Sequence, residues 1–241
     1  MPYRSPTRRG ITPQHRGRFP GFDVLDSADA WDDVTAGVVL GRLALPGELA
    51  FFTPEEVAVA APLLDLLLAQ DADPRIPVLG LIDARLAAGE TDGWHYDDMP
   101  EDAAAWRDSL RFLDQDAHTR YHERGFGQLA GDEQAGLVQA IGDMSAGGGR
   151  WHSWPATQVW SLWTRYACTA FYSHPWAWNE IGFPGPAYPR GYLNPGVDSR
   201  EHWEVADQHT EDSEVDPVTF ADRVEHARRD HDRVLGRGGP S

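Results

Sequence analysis

The sequence predicts an all-α fold: a single helical bundle-like domain with long irregular N- and C-terminal extensions. Three observations predict it. Apolar residues recur at helical spacing in five central segments, strand patterns are sparse, and both ends are rich in charge, proline and glycine. The 241 residues, 41% of them hydrophobic, suffice to bury one large core. We expect the helical domain over residues 26–192, between a basic flexible tail over 1–25 and an acidic extension over 193–241.

The first predicted helix has the clearest start signal. Thr53 can cap it, Pro54 suits the first helical position, and Glu56 completes a capping box. Apolar residues then recur as far as Ala69. The residues expected on its buried face are Val57, Ala61, Leu64, Leu67 and Leu68.

Four further helices follow from the same period. They are predicted over residues 77–88, 100–123, 132–146 and 154–172. The last is apolar on nearly all sides, so we expect it to be the central buried helix, with Cys168 as a small core residue. Residues 37–45 have an extended pattern and could also form a loop over the bundle. A final amphipathic helix is predicted over 217–235.

The two ends of the chain differ sharply in charge. Residues 1–22 contain five arginines and no acidic residue, whereas 198–216 contain eight acidic residues and one arginine. The pair Arg8-Arg9 invites a twin-arginine export interpretation, but no apolar segment and no small-residue cleavage site follow it. We therefore expect a cytoplasmic protein, or one exported together with a partner that carries the signal.

Composition excludes several classes of function. The net charge of −17 argues against a nucleic-acid-binding protein, and no apolar run is long enough for direct membrane insertion. All 21 basic residues are arginine, so neither Schiff-base chemistry nor a P-loop lysine is available. Cys168 is the only cysteine, which excludes an intrachain disulfide and a cysteine-based zinc site.

One candidate metal site emerges from the third predicted helix. Asp114, His118 and His122 follow one another at intervals of four residues, which would place them on one helical stripe. An isolated pair of histidines at this spacing is more often a solvated polar face. A metal-dependent enzyme using His118 and His122 is therefore kept as an alternative, and no catalytic, cofactor-binding or metal-binding residue is assigned.

The densest aromatic region spans residues 151–192 and contains six of the ten tryptophans. Its second half, 173–192, has four prolines after His174, so we expect it to be extended rather than helical. Tryptophan and tyrosine are enriched at the centres of protein interfaces. The rings could pack into the chain's own core, stack on sugars as a carbohydrate-binding module, or face a protein partner. The residues predicted for a partner interface are Trp176, Trp178, Phe183, Pro184, Pro186, Tyr188 and Tyr192.

Four short motifs carry a family resemblance. They are Phe51-Phe-Thr-Pro-Glu-Glu-Val, Phe126-Gly-Gln-Leu-Ala-Gly-Asp-Glu-Gln, Phe171-Tyr-Ser-His-Pro and Ile181-Gly-Phe-Pro-Gly-Pro. In this order, over about residues 50–192, the chain resembles the gluconate 2-dehydrogenase subunit 3 family. These are the small subunits of bacterial FAD-dependent sugar and polyol dehydrogenases. The motifs at 171 and 181 are the most specific part of the resemblance.

The resemblance implies a non-catalytic subunit without a cofactor of its own. The FAD and the reaction would belong to a large partner subunit of the glucose-methanol-choline (GMC) oxidoreductase type, which the small subunit helps to fold, to retain flavin or to be exported. Many family members begin with a twin-arginine signal, and many have a longer glycine-rich stretch between the last two motifs. In this sequence that stretch is only Trp176-Ala-Trp-Asn-Glu, and the residues beyond Tyr192 lie outside the resemblance.

Overall fold

In a computed structural model, the described part of the chain comprises residues 10–19, 21–44, 47–192, 201 and 204–205. The helices are α1 (Asp33–Gly41), α2 (Pro54–Leu67), α3 (Val78–Ala87), α4 (Asp102–Arg120), α5 (Gly131–Ala146), α6 (Ala156–Ser173) and α7 (Pro175–Ile181). Two-residue strands β1 (Arg150–Trp151) and β2 (Trp154–Pro155) pair antiparallel before α6. Short 3₁₀ turns occupy Pro13–His15, Val24–Ala30 and Phe126–Gln128. The predicted all-α class is confirmed, whereas the helix predicted over 217–235 lies outside the described residues.

The central position predicted for α6 is confirmed. It packs against α2, α3, α4 and α5, and Val159, Trp163 and Tyr166 on its inner face are almost completely buried. One stripe of the helix nevertheless faces solvent. Cys168 lies on that stripe and is exposed, so the prediction that it is a core residue is wrong.

Helix α2 begins as the sequence predicts. Thr53 and Glu56 form the reciprocal capping box, and Pro54 occupies the first helical position. The predicted buried face is displaced around the helix: Leu64 is buried as expected, but Val57, Ala61, Leu67 and Leu68 are only partly buried. The helix is apolar around most of its circumference, so its period alone does not determine which face meets the core. The side chains that become buried are Val59, Ala60, Leu63 and Leu64.

The extended pattern over residues 37–45 is wrong for residues 37–41, which are helical, whereas residues 42–44 form a turn, as the loop alternative allows. Residues 33–41 form α1, whose N-terminus is capped by Asp32 through a 2.8 Å hydrogen bond from the Thr35 N–H to Oδ1. The valines that favour a strand are tolerated here because Val39 packs into a small second core. That core comprises Val24, Trp31, Val39 and Trp178.

Residues 10–19 and 21–25 also differ from the flexible tail predicted over 1–25. Thr12, Pro13 and Asp23 are buried, and Val24 is fully buried in the second core. The backbone N–H of Gln14 donates to the Pro74 carbonyl at 2.7 Å. This part of the N-terminal segment is therefore part of the folded domain. Across the described residues, no helix combines the length and apolar character needed to cross a membrane.

Candidate partner interface

The segment predicted to be extended over 173–192 begins with a helix, so this prediction is wrong for residues 175–181. Pro175 occupies the first position of α7, where a backbone N–H would have no partner within the helix, so proline is tolerated there. Before it, the Nδ1 atom of His174 accepts a 3.2 Å hydrogen bond from the Trp176 N–H. The Phe171-Tyr-Ser-His-Pro motif thus ends α6 and starts α7 within two residues.

His174 is an unusual N-cap residue because it is almost completely buried. Burial, reinforced by the positive charge of Arg42, lowers the pKa of His174 from 6.5 to about 4. The ring is therefore neutral at pH 7, which leaves Nδ1 free to accept the capping hydrogen bond.

Trp178, predicted for the partner interface, belongs instead to the second core. It is only 5% exposed, its Nε1 donates to the Tyr172 carbonyl at 2.6 Å, and the guanidinium of Arg42 lies 5.8 Å from its ring centre. Trp176 is half-buried and packs against the main core. The helical turn of α7 directs Trp178 inward, which an extended segment would not have done.

The Gly-Phe-Pro-Gly motif lies directly on the N-terminal segment. Gly182 ends α7 with φ = 70°, and a Cβ there would lie 2.7 Å from the Phe19 ring. Gly185 has φ = 78°, and a Cβ there would lie 2.7 Å from the Trp31 ring. The indole Nε1 of Trp31 donates to the Pro186 carbonyl at 3.0 Å. Both glycines therefore combine a left-handed backbone with a close approach that a side chain would block.

Asn179, near the centre of α7, also binds the N-terminal segment. Its Oδ1 accepts from the Val24 N–H at 2.7 Å, and its Nδ2 donates to the Ile11 carbonyl at 3.0 Å and to Asp23 Oδ1 at 3.3 Å. The side chain is almost completely buried. Nothing in its sequence context distinguished Asn179 as a structural residue, because its partners are more than 150 positions away.

The other predicted interface residues remain at the surface. Phe183 is 40% exposed, Tyr188 66% and Tyr192 59%, while Pro184 and Pro186 are half-buried. Pro184 and Pro186 flank Gly185 in the sequence. The Phe183 ring packs edge-on against the Trp178 ring. We call residues 183–192 the aromatic segment. It is an ordered run of chain that presents three large rings to solvent.

The tryptophans before α7 do not form an exposed platform. Trp151, Trp154 and Trp163 are buried in the main core, and Trp160 is half-buried against it. The Nε1 of Trp163 donates to Ser109 Oγ at 2.9 Å inside the core. Most of the aromatic content of 151–178 therefore serves the chain's own packing.

The histidine pair proposed as a metal site is separated by the end of its helix. Helix α4 stops at Arg120, and His122 has a left-handed backbone with φ = 54°. The Nδ1 of His118 lies 2.8 Å from the Glu123 carbonyl, and its Nε2 lies 3.3 Å from Asp114 Oδ2. Among the residues that the structure describes, no three His, Cys, Asp or Glu side chains are grouped to hold a metal ion.

A cluster that the sequence analysis missed joins the loop before α4 to α6. Asp92 is ion-paired with both Arg85 and Arg165, and the guanidinium of Arg165 stacks 5.0 Å from the ring centre of Trp94. Asp102 accepts a 2.7 Å hydrogen bond from the Tyr166 hydroxyl, and burial raises the pKa of that hydroxyl well above its usual range. Asp92 and Trp94 lie in a polar loop and the other members lie on three different helices, so no periodic pattern in the sequence could have predicted this cluster.

Two of the resemblance motifs are also explained by packing. The carboxylate of Asp83 accepts hydrogen bonds from the N–H groups of Ala50, Phe51 and Phe52, at 2.7–3.0 Å, and so fixes the chain entering α2. Gly127 lies so close to α2 that a Cβ would be 2.3 Å from the Ala58 carbonyl oxygen. The motifs therefore specify turns, caps and close contacts of the helical body.

Comparison with known proteins adds one match. The family model described as gluconate 2-dehydrogenase subunit 3 matches residues 54–185, which run from the start of α2 to the second glycine of Gly-Phe-Pro-Gly. Neither the curated proteins nor the solved structures contain a match to the chain. The matched range covers more than half of the sequence and includes most of the helical body.

Proposed function

The chain belongs to the gluconate 2-dehydrogenase subunit 3 family, and from that membership we propose that it is a non-catalytic subunit of a dehydrogenase complex. Its partner in this proposal is a large FAD-containing subunit of the GMC type, which oxidises a sugar or another alcohol. The small subunit binds this partner and stabilises it, through its folding, its flavin retention or its assembly. In such a complex the flavin supplies the redox chemistry and the protein supplies position and stability.

The match over residues 54–185 is the observation that carries the proposal. The aromatic segment supports it, because Phe183, Tyr188 and Tyr192 expose the ring types that concentrate in protein interfaces. The segment is already ordered by Gly182, by Gly185 and by the hydrogen bond from Trp31 to Pro186. An ordered segment loses less conformational entropy when it binds than a flexible one does.

Co-expression with a GMC-type flavoprotein encoded beside this chain tests the proposal. With an affinity tag on this chain only, we expect both proteins to elute together in a fixed ratio and to carry the visible absorption of bound flavin. Elution of this chain alone, colourless and folded, would contradict the proposal.

A surface variant makes the test specific for the aromatic segment. Replacing Phe183, Tyr188 and Tyr192 together by serine should weaken copurification at least tenfold, because the interface loses the contact area of three rings. The matched control is Leu49→Ser, which alters an exposed apolar side chain outside the segment. Circular dichroism of the free chains should show unchanged helix content, because none of the four residues is buried.

A further inference from the structure

The outward side of α6 is a second surface with interface character. Seven residues of helix advance the chain by about 10 Å and return it to nearly the same angle, so Arg165 and Tyr172 lie on one stripe. Cys168 and Thr169 lie between them and are exposed, and Tyr172 is 49% exposed. We call this set the outer stripe of α6. Its members, from the N-terminal end, are the half-buried Gln158, Ser161 and Arg165 and the exposed Cys168, Thr169 and Tyr172.

The outer stripe contrasts with the rest of the protein in charge. The chain carries a net charge of −17, and 24% of its residues are charged. In the 18 residues of α6 the only charged side chain is Arg165, which is ion-paired with Asp92. Depletion of charge together with exposed aromatic rings is the composition of an interface core.

The loop before α4 extends the outer stripe at its N-terminal end. Trp94 is 48% exposed although its ring stacks on the Arg165 guanidinium. The Tyr96 ring packs edge-on against the Trp94 ring, with ring centres 5.2 Å apart. Asp92 holds this loop between Arg85 and Arg165. Two large rings are thus fixed in place at the surface, where they can act as anchors for a partner.

At its C-terminal end the outer stripe meets the aromatic segment. The Tyr172 carbonyl accepts from Trp178 Nε1, and the Trp178 ring also packs edge-on against the Phe183 ring, with centres 5.4 Å apart. Trp178 therefore contacts the backbone of Tyr172 and the ring of Phe183. The two surfaces border the same buried side chain.

The area of the aromatic segment alone is too small for a stable subunit interface. Three partly exposed rings offer only about 300 Å², given about 200 Å² for a whole aromatic side chain. A standard interface buries about 800 Å² on each partner. An interface centred on the aromatic segment must extend over neighbouring surface, and the outer stripe, whose one charged side chain is Arg165, is a low-charge surface that borders it at Trp178.

We infer that the outer stripe of α6, together with Trp94 and Tyr96, is the second half of the surface that binds the flavoprotein subunit. The inference rests on the proposed function. The occupant is a different protein rather than a second copy of this chain, because two copies would bring two net charges of −17 together. The face of the flavoprotein that contacts the outer stripe is apolar and carries no excess of acidic residues.

Cys168 provides the probe, because it is the only cysteine of the chain and lies in the middle of the outer stripe. The rate of its alkylation by a maleimide is measured in the free chain and in the copurified complex, by mass spectrometry of the peptide that contains it. We expect at least a tenfold lower rate in the complex. The Cys168→Ser variant confirms that the signal comes from this residue.

A second variant tests the surface without disturbing the core. Thr169→Arg adds charge and bulk at an exposed position of the outer stripe, and we expect at least tenfold weaker binding of the flavoprotein. Gln139→Arg, on the exposed side of α5, is the matched control and should bind as the unmodified chain does. Trp94→Ala should weaken binding in the same direction as Thr169→Arg.

The outcomes separate the two proposals. A complex in which Cys168 reacts as fast as in the free chain, and which Thr169→Arg leaves intact, contradicts the inference and leaves the proposed function standing. Failure of the two proteins to copurify at all contradicts the proposed function and the inference with it. Protection of Cys168 in a homodimer of the free chain would overturn the choice of occupant.

Discussion

At the scale of single residues, two buried polar side chains hold the C-terminal part of the domain together. His174 uses one ring nitrogen to start α7, and Asn179, on that helix, binds the N-terminal segment at three atoms. Buried polar groups of this kind are costly unless they are hydrogen-bonded, so each specifies one arrangement of the chain. His174 belongs to the Phe171-Tyr-Ser-His-Pro motif and Asn179 to no motif, and the structural role of neither could be predicted from spacing.

His174 should make stability depend on pH. Its pKa is about 4 in the folded chain against 6.5 ordinarily, so the unfolded chain binds the proton first as the pH falls. The stabilisation is complete above pH 6.5 and is lost between pH 6.5 and 4. Between pH 7 and 4.5, the free energy of unfolding measured in urea should therefore fall by about 2 kcal/mol more in the unmodified chain than in His174→Asn. The asparagine of this variant retains a capping acceptor. Equal losses in the two proteins would contradict this assignment.

Asn179→Ala should release the N-terminal segment. The change leaves the Val24 N–H and the Ile11 carbonyl without partners and should lower the free energy of unfolding by about 2–3 kcal/mol. Hydrogen exchange should become faster over residues 10–31 while α4 and α6 stay protected. Gln139→Ala, which removes an exposed side chain, is the control and should change stability by less than about 0.5 kcal/mol. Uniform loss of protection across the domain would argue against a local role.

At the scale of elements, sequence patterns located five of the seven α-helices. Helices α2 to α6 have long apolar periods and clear start or stop signals, of which the capping box at Thr53 is the strongest. Helix α7 was not predicted because a proline-rich stretch generally disfavours a helix, although Pro175 is at the first helical position, which suits proline. Helix α1 escaped because its valines resemble a strand and its packing partner Trp178 is distant in sequence.

The contact between the Gly-Phe-Pro-Gly motif and the N-terminal segment can be tested at Gly185. Alanine there must adopt φ = 78° and place a Cβ 2.7 Å from the Trp31 ring. We therefore expect the free energy of unfolding to fall by about 3 kcal/mol. Gly89→Ala is a matched control, because Gly89 has φ = 67° but a Cβ there meets nothing within 4 Å. Its cost should be only the backbone strain of about 1–2 kcal/mol. Equal costs at the two positions would show that the contact with Trp31 is unimportant.

The candidate site was predictable only in part. Phe183, Tyr188 and Tyr192 could be identified from composition, because large rings among prolines have few local side chains to cover them. Trp178 could not be separated from them, since its burial depends on the helical turn of α7 and on Trp31 and Val24 from the other end of the chain. Trp94 was missed because a single ring in a polar loop carries no periodic signal.

At the scale of the whole molecule, the described part of the chain divides its aromatic residues between two uses. Buried rings such as Trp106 and Trp163 form the main core, while Trp94, Tyr172 and the aromatic segment remain at the surface. Several ion pairs among the described residues, such as Glu56 with Arg107, join neighbouring elements. The exposed rings support the proposal that the chain acts through a protein partner.

The central claim is that this chain stabilises a flavoprotein that performs the reaction. The most direct test is the ratio of flavin to polypeptide, and the dehydrogenase activity, of the flavoprotein purified with and without this chain. The account predicts that the flavoprotein holds one flavin and is active only, or mainly, in the complex, and that this chain alone is inactive and colourless. Full flavin content and activity in the flavoprotein alone, unchanged by adding this chain, would contradict it.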